Sequence, residues 1–108
     1  MLRRGYLYWV ALDKRRPALV LSPDARNDKG RDVIVIPAST VMREGPWHVR
    51  LKKGEGGLLA PSVLLCEQIT TVPKDCLGAT ALGGPLSTAR IGEVERAVLR
   101  AIGVPVMA

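Results

Sequence analysis

The apolar residues of this sequence come in short runs, each closed by turn-forming or polar residues. No run approaches the ~20 apolar residues that a membrane-spanning helix needs. Short runs at close spacing leave β-strands as the dominant element. Tyr6–Leu12 alternates two apolar sets and is predicted as a strand buried on both faces. Ala18–Ser22 is a second strand, opened by Pro17, a residue tolerated at a strand's first position. Pro23–Asp32, rich in Asp, Asn and Gly, reads as a long turn, and Val33–Pro37 as a third strand. Trp47–Leu51 alternates, with Trp47, Val49 and Leu51 inward and His48 and Arg50 outward. A Gly-rich loop over Lys52–Pro61 leads to a long strand, Val63–Val72, ended by Pro73. Ala79–Leu82 reads as a short last strand before Gly83-Gly84-Pro85.

The end of the chain changes period. Ser87 is a suitable N-cap, and Ile91, Val94, Val98, Ala101 and Ile102 fall on one helical face. Glu93 and Glu95 lie early and Arg100 late, as the helix dipole favours, and Gly103 and Pro105 stop the helix. With 108 residues the chain has the size of one domain, and it buries roughly 65% of its unfolded surface without disulfides. The expectation is a mostly β domain over 1–108: a small antiparallel barrel over about 5–82, with a C-terminal helix over about 87–102.

Function is bounded first by charge. Residues 1–53 hold twelve Lys and Arg against five Asp and Glu, so the whole-chain +6 is a property of the first half. A basic half points to a polyanionic partner or to a merely solvated face. Cys66 sits in an apolar run and reads as a core thiol; with Cys76 and a lone histidine it makes no zinc pattern. The opening MLRRGYLYWVALDK has no apolar core followed by a cleavage site, so no export signal is read. The expected setting is cytoplasmic, reducing and metal-free, with no cofactor and no membrane partner. There is no GxxxxGK-S/T or GxGxxG loop, and a two-histidine ribonuclease is excluded because His48 is the only histidine.

What remains is a basic turn, Lys14-Arg15-Arg16-Pro17, and a hydroxyl turn, Ser39-Thr40, both at strand ends that a barrel can bring together. Arginine clamps phosphate with a planar, permanently charged fork, and a hydroxyl beside it can bond a phosphate oxygen. RNA cleavage needs little more, because the 2′-OH nucleophile is already in the substrate. Taken alone, a basic turn and a Ser-Thr turn are more often solvated loops than a site.

The order of the pieces adds to this. Arg16-Pro17-Ala18-Leu19-Val20-Leu21-Ser22-Pro23 resembles the RPALVLSP strand of the MazF/PemK (Kid) toxin family, and Gly5–Asp13 is similar to that family's opening strand. Ile36-Pro37-Ala38-Ser39-Thr40 resembles its V-P-x-T-T/S turn, Gly45-Pro46-Trp47-His48-Val49 its G-Y-P-F-x-V segment, and Ser62–Ile69 its S-V-x-L-x-D/E-Q-I/V strand. Leu77-Gly78 and the final helix complete the order, so the likeness spans residues 4–103.

The resemblance implies an SH3-like β-barrel acting as a homodimer. It also implies a metal-independent endoribonuclease, the toxin half of a bacterial toxin–antitoxin pair, that cuts single-stranded RNA at short sequences and leaves a 2′,3′-cyclic phosphate. By position, Arg16 matches the family's catalytic arginine and Thr40 its catalytic threonine or serine. Lys14, Arg15, Arg26, Lys29, Arg31, Ser39, Arg43 and Gln68 are the expected RNA contacts, and the basic ones among them are read as turn residues. RNA and a cognate acidic antitoxin are the expected partners. Two departures stand out. Only Lys14 and Arg15 separate Asp13 from Arg16, so the longer family loop and its acidic residue are missing, and the tyrosine of G-Y-P-F is absent. His48 is expected at the surface, Gln68 as a possible structural partner at the barrel end, and Trp9 and Trp47 in the core. The alternatives are a non-cleaving gyrase poison of the CcdB type and a plain nucleic-acid-binding barrel. Val104–Ala108 carries nothing like the Trp-Gly-Ile end of the former.

Overall fold

Alternation along the first strands places one apolar set on each face of a sheet. A computed structural model describes residues 1–107; Ala108, the last residue of the expected domain, lies outside them. The strands are β1 Leu7–Ala11, β2 Arg15–Val20, β3 Asp32–Ser39, β4 His48–Leu51, β5 Ser62–Leu65 and β6 Thr70–Pro73. Helix α1 covers Asp24–Lys29 and α2 covers Thr88–Ala101. Leu7, Leu19, Ile36 and Ala38 face one core, which Val49, Leu64, Cys66 and, from α2, Val94 and Ala97 complete. Tyr8, Val10, Ala18, Val20, Val33 and Val35 face the other, closed by Val72, Leu12, Leu77 and Ala81. β1 is thus buried on both faces, as its pattern predicts.

All pairings are antiparallel, in the order β1-β2-β3-β5-β4, with β6 also on β3. The mostly β architecture with a C-terminal helix is the expected one. Its ladder does not close, because β1 and β4 end the row unpaired with each other. Ser87 caps α2 by accepting from the Arg90 N–H at 3.1 Å.

Several local expectations are corrected. The segment Pro23–Asp32 is not all turn, because it holds α1. Its anchor is the buried Asn27, whose amide donates to the Ser22 carbonyl at 2.9 Å and whose carbonyl oxygen accepts from the Ser22 hydroxyl. Arg26 and Lys29 therefore ride on a helix, and Arg15 and Arg16 on β2, rather than in turns. The long strand Val63–Val72 is broken by a single 3-10 turn, Cys66–Gln68. From Ala38↔Leu64 to Val35↔Thr70, six residues on one side pass three on β3, so the turn is a bulge of three residues. Ala79–Leu82 is not a strand, although the Gly78 and Leu82 N–H groups donate to Trp9 and Leu7 along the free edge of β1.

Trp47 is 38% exposed, because β4 starts only at His48. His48 does point away from Val49 and Leu51, but the bulge covers it. Its side chain is 9% exposed, and its Nε2 lies 3.0 Å from Glu67 Oε2. Trp9 is also outside the core, half-buried with the Arg15 guanidinium 4.7 Å from its ring centre. Cys66 is fully buried, and that burial pushes its thiol up to about 12.

Candidate active site

The β2–β3 ladder stops at Ala18↔Pro37. Beyond that point β2 stays on β1 through Trp9↔Pro17 and Val10↔Arg16, while β3 stays on β5 through Ala38↔Leu64 and Ser39↔Val63. Pro17 and Pro37 both lack a backbone N–H, which removes donors where the strands part. The fork opens a cavity of about 310 Å³. Lys14, Arg15 and Arg16 line it from β2 and its turn, Ser39 and Thr40 from the end of β3, and Trp9, Leu58, Leu59 and Leu82 form apolar wall. The two turns singled out in the sequence are therefore brought to one cavity from different strands.

Within it, Arg16 is mostly covered, its side chain 15% exposed. Its Nη2 donates to Asp13 Oδ2 at 3.0 Å, and its Nε–H is buried with no protein partner. Ser39 Oγ accepts the Val41 N–H at 3.1 Å, an arrangement that pins the turn. Thr40, the next residue, is exposed at the cavity. The arrangement offers a permanent, largely enclosed cation, a hydroxyl on the same cavity, two further cations and an aromatic wall. That suits a phosphodiester carrying a base.

The wall formed by Leu58–Ala60 is braced by backbone and by charge. A Cβ on Gly57, whose φ is +88°, would lie 2.4 Å from the Leu82 carbonyl oxygen. Glycine is therefore needed where the two chain segments cross. Arg90 of α2 holds Glu55 with two contacts of 2.9 and 3.1 Å, and the guanidinium keeps the Glu55 carboxyl below the usual carboxylate range.

Not every expected contact is gathered here. Arg43 lines a separate recess with Glu44, Gly45, His48 and Arg50. Arg26 is paired with Asp32 at 3.0 Å, Lys29 and Arg31 flank the end of α1, and Gln68 is exposed on the bulge. None of these lines the cavity. The apolar wall, by contrast, escaped the sequence reading, because Leu58 and Leu59 lie in a loop without periodicity and Leu82 reads there as the end of a strand. Among the described residues no three His, Cys, Asp or Glu side chains are grouped so as to hold a metal, and no helix is long and apolar enough to cross a membrane.

The model of the PemK-like, MazF-like toxins of type II toxin–antitoxin systems matches residues 3–102. Among solved structures, the chain is similar to an endoribonuclease from a mycobacterial species in complex with its cognate antitoxin. The two are 28% identical over 99% of this chain and 100% of that one, with a TM-score of 0.85. It is also similar to the Mycobacterium tuberculosis toxin MazF-mt6, at 27% identity over 94% and 99% of the two chains and a TM-score of 0.84. A chain of the Deinococcus radiodurans MazE–MazF structure matches at 25% identity over 96% and 97%, with a TM-score of 0.80. No curated protein matches significantly.

Proposed function

The chain belongs to the PemK-like, MazF-like toxins of type II toxin–antitoxin systems, and on that premise we propose that it is a metal-independent endoribonuclease of single-stranded RNA. The observation that carries the reading is the meeting of Arg16 and Thr40 in one cavity, an enclosed arginine and an exposed hydroxyl brought there from different strands. The ribose 2′-OH attacks the adjacent phosphorus, the 5′-oxygen leaves, and a 2′,3′-cyclic phosphate remains. Arg16 stabilises the charge that builds on the phosphorane oxygens, and Thr40 bonds one of them. Lys14, Arg15 and Ser39 hold the neighbouring backbone, and the Trp9 side of the cavity takes a base. Arg43, Arg26, Lys29, Arg31 and Gln68 stand outside the cavity and serve flanking nucleotides, through contact or through the field of the basic half. Incubation with a long single-stranded RNA in EDTA, with both new ends mapped, tests this. Cyclic-phosphate and 5′-hydroxyl ends at recurring short sequences are expected, and an RNA left whole overturns it.

The partners follow from the same charges. An acidic antitoxin peptide that orders on binding would neutralise the cations that hold RNA and cover Arg16, so the two ligands should compete. RNA affinity should fall with salt by roughly 0.7 log units per log salt for each phosphate neutralised. Lys14→Ala and Arg43→Ala should weaken both ligands and flatten the salt slope, while Lys74→Ala and Arg96→Ala change neither. Simultaneous binding of RNA and antitoxin in a fluorescence competition assay would refute the shared surface.

The reading also includes a homodimer, the arrangement that the family resemblance implies. Light scattering at micromolar concentration should give twice the chain mass, and a monomer there contradicts it.

A further inference from the structure

We infer that Asp13 is a positioning residue for Arg16, supplied by the tight first hairpin of this chain. The inference rests on the reading of Arg16 as the phosphate-binding cation. The last ladder pair of the hairpin is Ala11↔Arg15, and the Leu12 N–H donates to the Lys14 carbonyl across the turn at 3.2 Å. With so short a connection, Asp13 sits three residues before Arg16 and its carboxylate reaches back to it. Oδ2 lies 3.0 Å from Nη2. This is the one hydrogen bond that the Arg16 side chain makes among the described residues.

The contact has little to do with stability. The Asp13 side chain is 73% exposed, and exposed ion pairs contribute little to folding. Its geometric effect is larger. Nη2 carries two N–H bonds, and the Asp13 carboxylate accepts from one of them. That fixes the plane of the guanidinium and leaves the Nε–H and the remaining N–H groups without protein partners. The buried, unpartnered Nε belongs to a side chain that lines the cavity, so the hold of Asp13 on Nη2 is, among the described residues, the one polar contact that orients the guanidinium there. Asp13 itself does not line the cavity, and neither does any other Asp or Glu. It therefore acts through Arg16 rather than on the reacting 2′-OH. Lys14 and Arg15 lie beside it in sequence, so its charge also tempers the repulsion that Arg16 meets at the mouth of the cavity.

Two variants and two readouts test this. Asp13→Ala removes the grip and should lower kcat by about tenfold or more, because an arginine off its productive geometry loses alignment. KM should stay within about twofold, because the cations that bind the RNA backbone remain. Asp13→Asn keeps an oxygen acceptor on the same stem and should recover most of the rate. Neither variant should change the shape of the pH–rate profile. In ¹H–¹⁵N spectra, the Arg16 Nε–H should be ordered in the unaltered protein and in Asp13→Asn, and should lose order in Asp13→Ala. An unchanged Arg16 signal in Asp13→Ala overturns the inference whether or not RNA is cut. Full cutting by Asp13→Ala overturns it as well. If Asp13→Asn is as slow as Asp13→Ala and loses the acidic limb of the profile, Asp13 is the general base and positioning is refuted. A protein that cuts no RNA fails the nuclease reading instead, and the order of Arg16 still decides the role of Asp13.

Discussion

Arg16→Ala should cut RNA at least about 10²-fold more slowly than the unaltered protein, the usual loss when one charge-stabilising donor is removed. The phosphorane gathers negative charge on oxygens that no metal is proposed to hold. Arg16 is the cation most enclosed at the fork, where low solvent access strengthens its effect. Folding should not suffer. The backbone of Arg16 keeps its pairing with Val10, and the ion pair to the exposed Asp13 is worth only ~0–1 kcal/mol. Removal of the side chain also removes a buried, unpartnered N–H, whose burial costs about 1–3 kcal/mol. The variant should therefore melt at or above the midpoint of the unaltered protein, a separation of activity from stability familiar at functional sites. A folded Arg16→Ala protein that cuts at the normal rate would remove the site assignment.

A single 2′-deoxy nucleotide at the cut position should abolish cleavage there, and EDTA should not affect cleavage of the all-ribose strand. The reason is that no cysteine or histidine among the described residues lines the cavity. Cys66 is buried, with its thiol pushed up to about 12, and it does not line the cavity. His48, the only imidazole, is engaged with Glu67 and faces the other recess. Thr40 consequently has no histidine base to activate it at the cavity. On the proposed reading the attacking group is the substrate's own 2′-OH. Denaturing gels of matched oligonucleotides decide the point. Cleavage of the 2′-deoxy strand at the same bond would mean a different nucleophile, and inhibition by EDTA would mean a metal.

The strands β1, β2 and β3 were legible because each is a short apolar run bounded by turn residues, the pattern of a strand covered on both faces. Arg16 and Thr40 were legible as a pair only through the order of motifs, since a strand-end turn by itself says nothing of what lies across from it. Helix α1 was hidden because its anchor is a side chain. Asn27 is buried against Ser22, a contact that composition reads as turn chemistry. The bulge at Cys66–Gln68 was hidden because its residues read as a continuing strand, and the break shows only in the shift of pairing against β3. His48 illustrates the same limit. Alternation gave its direction correctly, but not the turn that folds over it. The Asp13–Arg16 contact depended on the short hairpin, whose length is plain in the sequence while the reach of the carboxylate across it is not.

The fork has a consequence in time. Arg16 and Thr40 lie in the first 41 residues, but the wall that completes their cavity comes from Leu58–Ala60 and Leu82, and its brace comes from Arg90. A chain emerging from the ribosome N-terminus first, at ~5–20 residues per second, presents the arginine and the hydroxyl seconds before it has anything to hold a substrate against them. The half-made polypeptide carries the charge of the toxin without its cavity. Damage to RNA, on this reading, begins only when the last helix has been released and locked, and a partner encountering the nascent chain would meet a surface before it met an enzyme.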